Sequence, residues 1–419
     1  MGTTSTIYRR IKITPFMLWV AGLTAVALVG VVGMGIVFVK GLSVTNLTDL
    51  VPWGLWITID LSSIALSAGA FLLCAAVYLL GLKKYQPVAR TATFIGLIGY
   101  SMAILTLLLD IGRPDRFWHA MVYWNTHSVL WEVTMCVALY FTVLLLETAP
   151  LFGKIPFVQR YLPWLSTNLE KLHHLAPFLA IAGLGLSMLH QSSLGATYGV
   201  LKARPLWYRP NLSVLFMVSA MAAGPAMTVL VSMIAGRVSP KIRINDELLE
   251  RVALFVGWVL AGYLYFRFWD AFSMTYTYEY GRTEGLRLLT RGNLSFNFWA
   301  GEIFLGIVMP MILLLYSKTR KNPLTRMLAL FLVVGGLVAY RWDTNLAGQL
   351  VLLSYLPSDL TAVYTAYFPS LIEFIAGIGV IAYGMLAVTL GIKYLNIVDH
   401  GPEQEEFVSE GVPLTAAAD

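Results

Sequence analysis

Ten stretches of this chain are apolar over a length that suits a lipid bilayer, and that feature leaves few folds open. The runs are 16–39, 55–80, 91–109, 128–147, 172–194, 211–235, 252–269, 297–316, 325–341 and 371–391, against the ~20 residues a helix needs to cross the hydrocarbon core. Only 12% of the 419 residues are charged, about half the share of a soluble domain. The expected fold is all-α: a polytopic integral membrane protein of about ten transmembrane helices, with two four-helix bundles. The expected divisions are an N-terminal anchor helix (1–40), a first bundle (41–210), a second bundle (211–345), an outer loop with the last helix (346–392), and a mobile acidic cytoplasmic tail (393–419). The two-bundle reading rests on an internal echo. Residues 128–133, SVLWEV, and 296–303, FNFWAGEI, each place a tryptophan and then a glutamate just inside a helix start.

The first run follows Arg9, Arg10 and Lys12. It exceeds the ~7–15 residues of a signal-peptide core and no small-x-small cleavage site follows, so it reads as an uncleaved anchor. Of the 29 Lys and Arg, 18 fall on the side of the N-terminus and 10 on the other. The richer side is cytoplasmic, which puts both termini inside and implies an inner-membrane protein. That loop bias accounts for the net charge of +6 without a nucleic-acid partner. Two cysteines exclude a protein-bound iron–sulfur cluster, which takes about four thiolates.

An ionisable side chain inside a span costs at least ~2.5 kcal/mol and as a rule faces a bundle interior or a functional pathway. This chain holds many. Asp60 follows Trp53 and Trp56 in VPWGLWITID and lies roughly 7 Å along its helix. Asp110, Glu132, His190 with Gln191, Arg267 with Asp270, Glu302, Arg341 with Asp343, and Glu373 all lie near helix ends on the Lys/Arg-poor side. Taken singly, each reads as an interfacial residue. Together they predict one polar pocket beneath the outer surface, holding groups able to give and take protons near neutrality. Helical spacing puts Asp60, Ser63, Ser67 and Cys74 on one stripe, and Glu132, Cys136, Tyr140 and Glu147 on another. The second stripe reads either as helix–helix hydrogen bonding or as a partial proton path from the cytoplasm. The two cysteines sit too far apart in depth to bridge.

Haem is tested by counting. Of His119, His127, His173, His174, His190 and His400, only His190 is clearly inside a span, whereas a transmembrane dihaem protein needs four axial ligands. No haem and no iron–sulfur cluster is therefore expected in this chain. The outer loops 270–296 and 341–370 carry Tyr276, Tyr278, Tyr280, Tyr355, Tyr364 and Tyr367. These read as interfacial anchors or as a docking surface for an extracytoplasmic partner.

The segments 52–60, 125–150, 189–195 (LHQSSLG), 205–207 and 367–374 (YFPSLIEF) resemble the NrfD/polysulfide-reductase membrane-subunit family. The likeness is to its ten-span branch, which includes the membrane subunits of nickel–iron hydrogenases and of menaquinone reductase. The resemblance implies a subunit without a redox centre that binds menaquinone or another quinone near the extracytoplasmic face. It implies a periplasmic, ferredoxin-like iron–sulfur partner and a catalytic subunit of molybdopterin, hydrogenase or multihaem cytochrome type. By motif, Asp60, Glu132 and His190 would line or proton-couple the quinone, with Gln191, Asp110, Arg341 and Glu373 as further candidates. The chemistry of the residues agrees. Quinone reduction takes two electrons and two protons, and a histidine suits one carbonyl because it can donate and be reprotonated near neutral pH. Trp131, beside Glu132, is a candidate to pack on the ring. The competing readings are an ion-coupled secondary transporter, which would place its site at the midplane, and a passive anchor whose polar groups only hold helices together.

Overall fold

The computed structural model describes residues 14–277, 279–355 and 360–399. Arg9, Arg10, Lys12, Tyr278, His400 and the acidic tail beyond it lie outside the described residues. The long helices are α1 (Pro15–Lys40), α2 (Leu55–Tyr78), α3 (Gln86–Asp110), α4 (Val129–Gly153), α5 (Ala176–Gly199), α6 (Asn211–Val238), α7 (Asp246–Tyr276), α8 (Asn297–Leu315), α9 (Pro323–Leu350) and α10 (Leu371–Tyr394). Among the described residues, nine helices are long and apolar enough to cross a membrane. A tenth span forms if α5 is joined to the helix Pro163–Lys171, which meets it at a bend of 68°. The chain is a multi-pass helical membrane protein.

The helices pack in order. Contacts join α2 to α3, α3 to α4, α4 to α5 and α5 back to α2; a second circuit joins α6, α7, α8 and α9. Helix α6 packs on α5 and, with α9, on α2, so the circuits share a wall. Helix α1 lies along α10.

Lipid gives apolar side chains little reason to prefer a neighbouring helix, so close approach at small residues does much of the work. A Cβ added at Gly30 would come within 2.3 Å of Gly379 Cα, and one at Gly306 within 2.5 Å of Gly336 Cα. At Gly224, where Pro225 already interrupts α6, an added Cβ would stand 2.0 Å from the backbone nitrogen of Gly69. That contact sits where α2 breaks between Ser67 and Gly69. Gly224→Ala is therefore expected to push α6 off α2 and cost about 1–3 kcal/mol, the usual scale of overpacking. A lowered melting temperature of the purified chain is the readout; an unchanged one would refute the contact.

Three departures from the sequence expectation bear on the site. Helix α9 does not end at Arg341 but runs to Leu350, so Arg341 and Asp343 lie well inside a helix instead of at its end. The added turns are polar yet buried, because Asn345 and Gln349 find partners on the stretch that leads into α2. Helix α7 likewise continues to Tyr276. The loop after α9 forms a hairpin, with β1 (Val351–Tyr355) antiparallel to β2 (Leu360–Tyr364) and Val351 opposite Tyr364. Finally, Asn297–Val308 of α8 is wound as a π-helix, a wider coil frequent at functional positions; Glu302 lies within it.

Candidate functional site

The stretch before α2 is fastened by the far end of α9. Gln349 Oε1 accepts from Trp53 N at 3.0 Å, and Gln349 Nε2 donates to Trp53 O at 2.7 Å. Asn345 Nδ2 donates to Trp53 O and Gly54 O, both at 3.1 Å. The Tyr367 hydroxyl accepts from Leu55 N at 2.9 Å and donates to Glu373. Burial and that bond to Glu373 push the Tyr367 pKa upward, which keeps it a proton donor. Tyr367 thus turns inward, unlike Tyr276, Tyr280 and Tyr364, which stay exposed.

Glu373 is engaged in this frame. Its carboxylate accepts from Asn46 N at 3.0 Å and Ser370 N at 2.7 Å, while Ser370 Oγ accepts from Glu373 N, closing a capping box at the start of α10. Both its oxygens are occupied by backbone and by Tyr367.

Held in this way, α2 presents Asp60 to α3 and α5. Asp60 is 3% exposed and its Oδ1 has no hydrogen-bond partner. It stands within electrostatic reach of Asp110, Tyr100 and Tyr198. On α5, His190 is fully buried; its Nδ1 is bonded to the Tyr100 hydroxyl at 2.6 Å, and its Nε2 is unpartnered. The adjacent Gln191 donates from Nε2 to Ile64 O at 3.2 Å and leaves Oε1 unpartnered. Glu132, half-buried near the start of α4, accepts from Ser193 Oγ at 2.7 Å. Asp110, the last residue of α3, also has an unpartnered Oδ1. Buried polar atoms without partners are rare in proteins. Here they come from α2, α3 and α5; Tyr100 links His190, by its hydrogen bond, to Asp60, which lies within electrostatic reach, and Glu132 is tied to α5 through Ser193.

The α4 stripe continues away from this group. Cys136 lies within electrostatic reach of Glu132 and Tyr100. The Tyr140 ring packs edge-on against Tyr100 at 4.3 Å between centroids and against Phe71 at 4.2 Å. Its buried hydroxyl makes no hydrogen bond, although Ser187 stands near it. Glu147 lies close to the Cys74 thiol, which is hydrogen-bonded to Thr93 Oγ1 at 3.4 Å, and the Glu147 Oε2 is unpartnered. Trp131 takes a different place from the one expected of a ring platform: its indole donates to Ala120 O at 3.0 Å and its ring lies 5.5 Å from that of Trp124. Trp299, its counterpart in the internal echo, likewise donates to Thr290 O at 3.1 Å. Both tryptophans fasten a short helix that precedes their own, His119–Val122 and Arg282–Arg291.

The remaining polar residues form a second group instead of joining a single pocket. Arg267 holds Glu302 through two bonds, at 2.6 and 3.2 Å, and Asp270 at 3.0 Å. Asp270 also pairs with Arg209 at 3.3 Å. Asp343 accepts from Asn297 at 2.8 Å. Arg341 stacks over Phe216 at 3.7 Å and donates to Phe216 O and Ser219 Oγ, while its Nε and Nη1 are unpartnered. A small cavity of about 20 Å³ lies beside them, lined by Ser219, Tyr263, Glu302, Gly306, Gly336 and Tyr340. Tyr198, within electrostatic reach of both Asp60 and Arg341, stands between the groups. Among the described residues, no three His, Cys, Asp or Glu side chains form a metal-binding cluster, and His127 is exposed while His190 is bonded to Tyr100.

Sequence reasoning passes over Tyr100, Asn345 and Gln349. The spacing of Arg341, Asn345 and Gln349 at steps of four, with no proline between them, is a signal that the helix and its buried face continue. Tyr100 gives no signal, because an isolated tyrosine in an apolar run looks like core.

Fold and site together define a multi-pass membrane protein whose polar chemistry is buried between helices. Residues 43–352 match the family model described as polysulphide reductase, NrfD. The chain is 32% identical to the integral membrane subunit of menaquinone reductase from Nitratidesulfovibrio vulgaris, covering 93% of each chain. It is 28% identical to the probable Ni/Fe-hydrogenase 2 b-type cytochrome subunit of Escherichia coli, over 85% of this chain and 86% of the relative. It is 25% identical to the integral membrane subunit of the Hdr-like menaquinol oxidoreductase of Archaeoglobus fulgidus, over 88% and 90%. The chain belongs to the NrfD family.

Proposed function

We propose that this chain is the quinone-reactive membrane subunit of a respiratory oxidoreductase complex of menaquinone-reductase or hydrogenase type. The observation that carries the reading is the pair of buried, unpartnered atoms, His190 Nε2 and Asp60 Oδ1. Electrons come from a periplasmic iron–sulfur partner, itself wired to a molybdopterin-type, hydrogenase or multihaem cytochrome subunit. The chain has no haem or cluster of its own, and its site takes menaquinone or a related quinone as substrate. The relatives support the quinone and the complex: two are integral membrane subunits of a menaquinone reductase and a menaquinol oxidoreductase, and a third is named as a probable hydrogenase b-type cytochrome subunit.

Each residue has a part in that reading. His190 and Asp60 address the two carbonyl oxygens, each through its unpartnered atom. Glu132, steadied by Ser193, exchanges protons with the site; Gln191 and Asp110 adjoin it. Glu147 with Cys74, then Tyr140 and Cys136, form a cytoplasmic inlet. Both termini are cytoplasmic in the inner membrane. With the site on the outer side, protons drawn from the cytoplasm make quinone reduction electrogenic. The α2–α5 circuit is the first four-helix bundle and carries the site; α6–α9 is the second. Glu373 and Tyr367 serve as its frame, and Arg341 belongs to the second polar group.

Binding tests the reading most directly. The purified chain is expected to bind a hydroxyquinoline N-oxide inhibitor tightly, as read by fluorescence quenching, and Asp60→Asn is expected to weaken it at least ~10-fold, the scale of one lost hydrogen bond. Equal affinity in the two proteins would leave a passive anchor as the better description.

A further inference from the structure

We propose that Tyr100 is a positioning residue that sets the tautomer of His190, so that Nε2 carries the ring proton and is offered to the carbonyl of an oxidised quinone. This rests on the quinone reading above and goes beyond it, because it assigns the hydrogen-bond polarity of the site and hence the redox state of the ligand it suits.

The argument is a count of donors and acceptors. Tyr100 Oη and His190 Nδ1 are 2.6 Å apart, and both residues are buried to within 1% of full enclosure. No described carboxylate forms an ion pair with His190, so nothing nearby compensates an imidazolium and the ring holds one proton. A neutral imidazole has one N–H and one acceptor nitrogen, and a phenol has one O–H. Among the described residues, the Tyr100 hydroxyl has no other acceptor. If the hydroxyl donates to Nδ1, its proton is satisfied, Nδ1 is satisfied, and only Nε2–H is left over. If instead Nδ1–H donates to the hydroxyl oxygen, both the phenol proton and the bare Nε2 go without partners. Buried groups are satisfied wherever the geometry permits, so the first arrangement wins.

Packing keeps the tyrosine in register. Tyr140 meets the Tyr100 ring at 85° with centroids 4.3 Å apart, and Phe71 backs Tyr140. The hydroxyl has little freedom to swing from Nδ1. The free nitrogen is then a donor. A quinone carbonyl, which can only accept, is its match. A quinol hydroxyl, whose proton must be given to an acceptor, finds none at this atom.

The test separates the tautomer from the quinone. The full chain is labelled with ¹⁵N-histidine, reconstituted in nanodiscs without added quinone, and read by solid-state NMR; the His190 resonances are those lost in His190→Asn. The wild type is expected to show the Nε2–H pattern, and Tyr100→Phe, which keeps the ring and removes the hydroxyl, is expected to populate Nδ1–H. A wild-type Nδ1–H pattern, or no change in Tyr100→Phe, overturns the proposal whatever the ligand. In the assembled complex, Tyr100→Phe is expected to raise the quinone KM about tenfold with a smaller change in kcat. If the NMR result holds and KM does not move, the tautomer assignment stands and the placement of quinone at His190 falls.

Discussion

In the assembled complex, His190→Ala and Glu132→Gln are each expected to lower quinone-linked turnover by at least ~100-fold, while the subunit still inserts and binds its partners. The magnitude is that of a lost general acid or base, typically 10²–10⁴-fold. Both substitutions are mild for the fold. Glutamine keeps the shape of Glu132 and an oxygen to accept from Ser193 Oγ, which now stands at 2.7 Å. Alanine at 190 strands the Tyr100 hydroxyl, at a cost of about 1–3 kcal/mol, and leaves the α4–α5 contact in place. Reduction of a short-chain menaquinone analogue reports turnover, and immunoblotting of membranes reports assembly. Wild-type rates in both variants would remove these residues from the site.

A second large effect is expected on stability. Arg267 lies 4% exposed between Glu302 and Asp270. Arg267→Met leaves Glu302 buried without its only bonded partner among the described residues, and breaking a buried pair on one side costs about 3–5 kcal/mol. Asp270 suffers less, because Arg209 stays at 3.3 Å. The double variant Arg267→Met/Glu302→Leu removes both charges, so it is expected to melt well above the single variant. A detergent melting series on the three proteins measures this. A single variant as stable as the wild type would show that the pair is not holding α7 to α8.

The membrane class is legible in the ten apolar runs because a bilayer imposes one length scale on every span. Family membership is legible in local strings such as LHQSSLG. What the runs conceal is where polar helix continues. A span read from 325 stops at Arg341, since the next residues, WDTNLAGQ, look like loop; they stay helical because Asn345 and Gln349 spend their amides on the backbone of Trp53 and Gly54. That partnership spans almost three hundred residues, and no local pattern contains it. Most of the acids lie near a helix end, but a list of helix positions carries no lateral coordinate. For that reason the polar groups look like one pocket in the sequence, whereas Arg267, Asp270 and Glu302 neutralise one another apart from Asp60 and His190. Glu373 shows the reverse failure. The Ser370-x-x-Glu373 string is a capping signature, yet its depth alone makes it resemble a ligand.

The amides of Asn345 and Gln349 sew the end of α9 to the entrance of α2, and Arg204 adds stitches of 3.0 Å to Gln349 O and 2.8 Å to Leu50 O. A carrier that alternates between two faces has to let one half rock against the other, parting such seams at each cycle. Here the end of α9 is laced to the stretch that leads into α2. The quinone reading proposed above asks for no such parting, because electrons and protons can move through a scaffold that stays still.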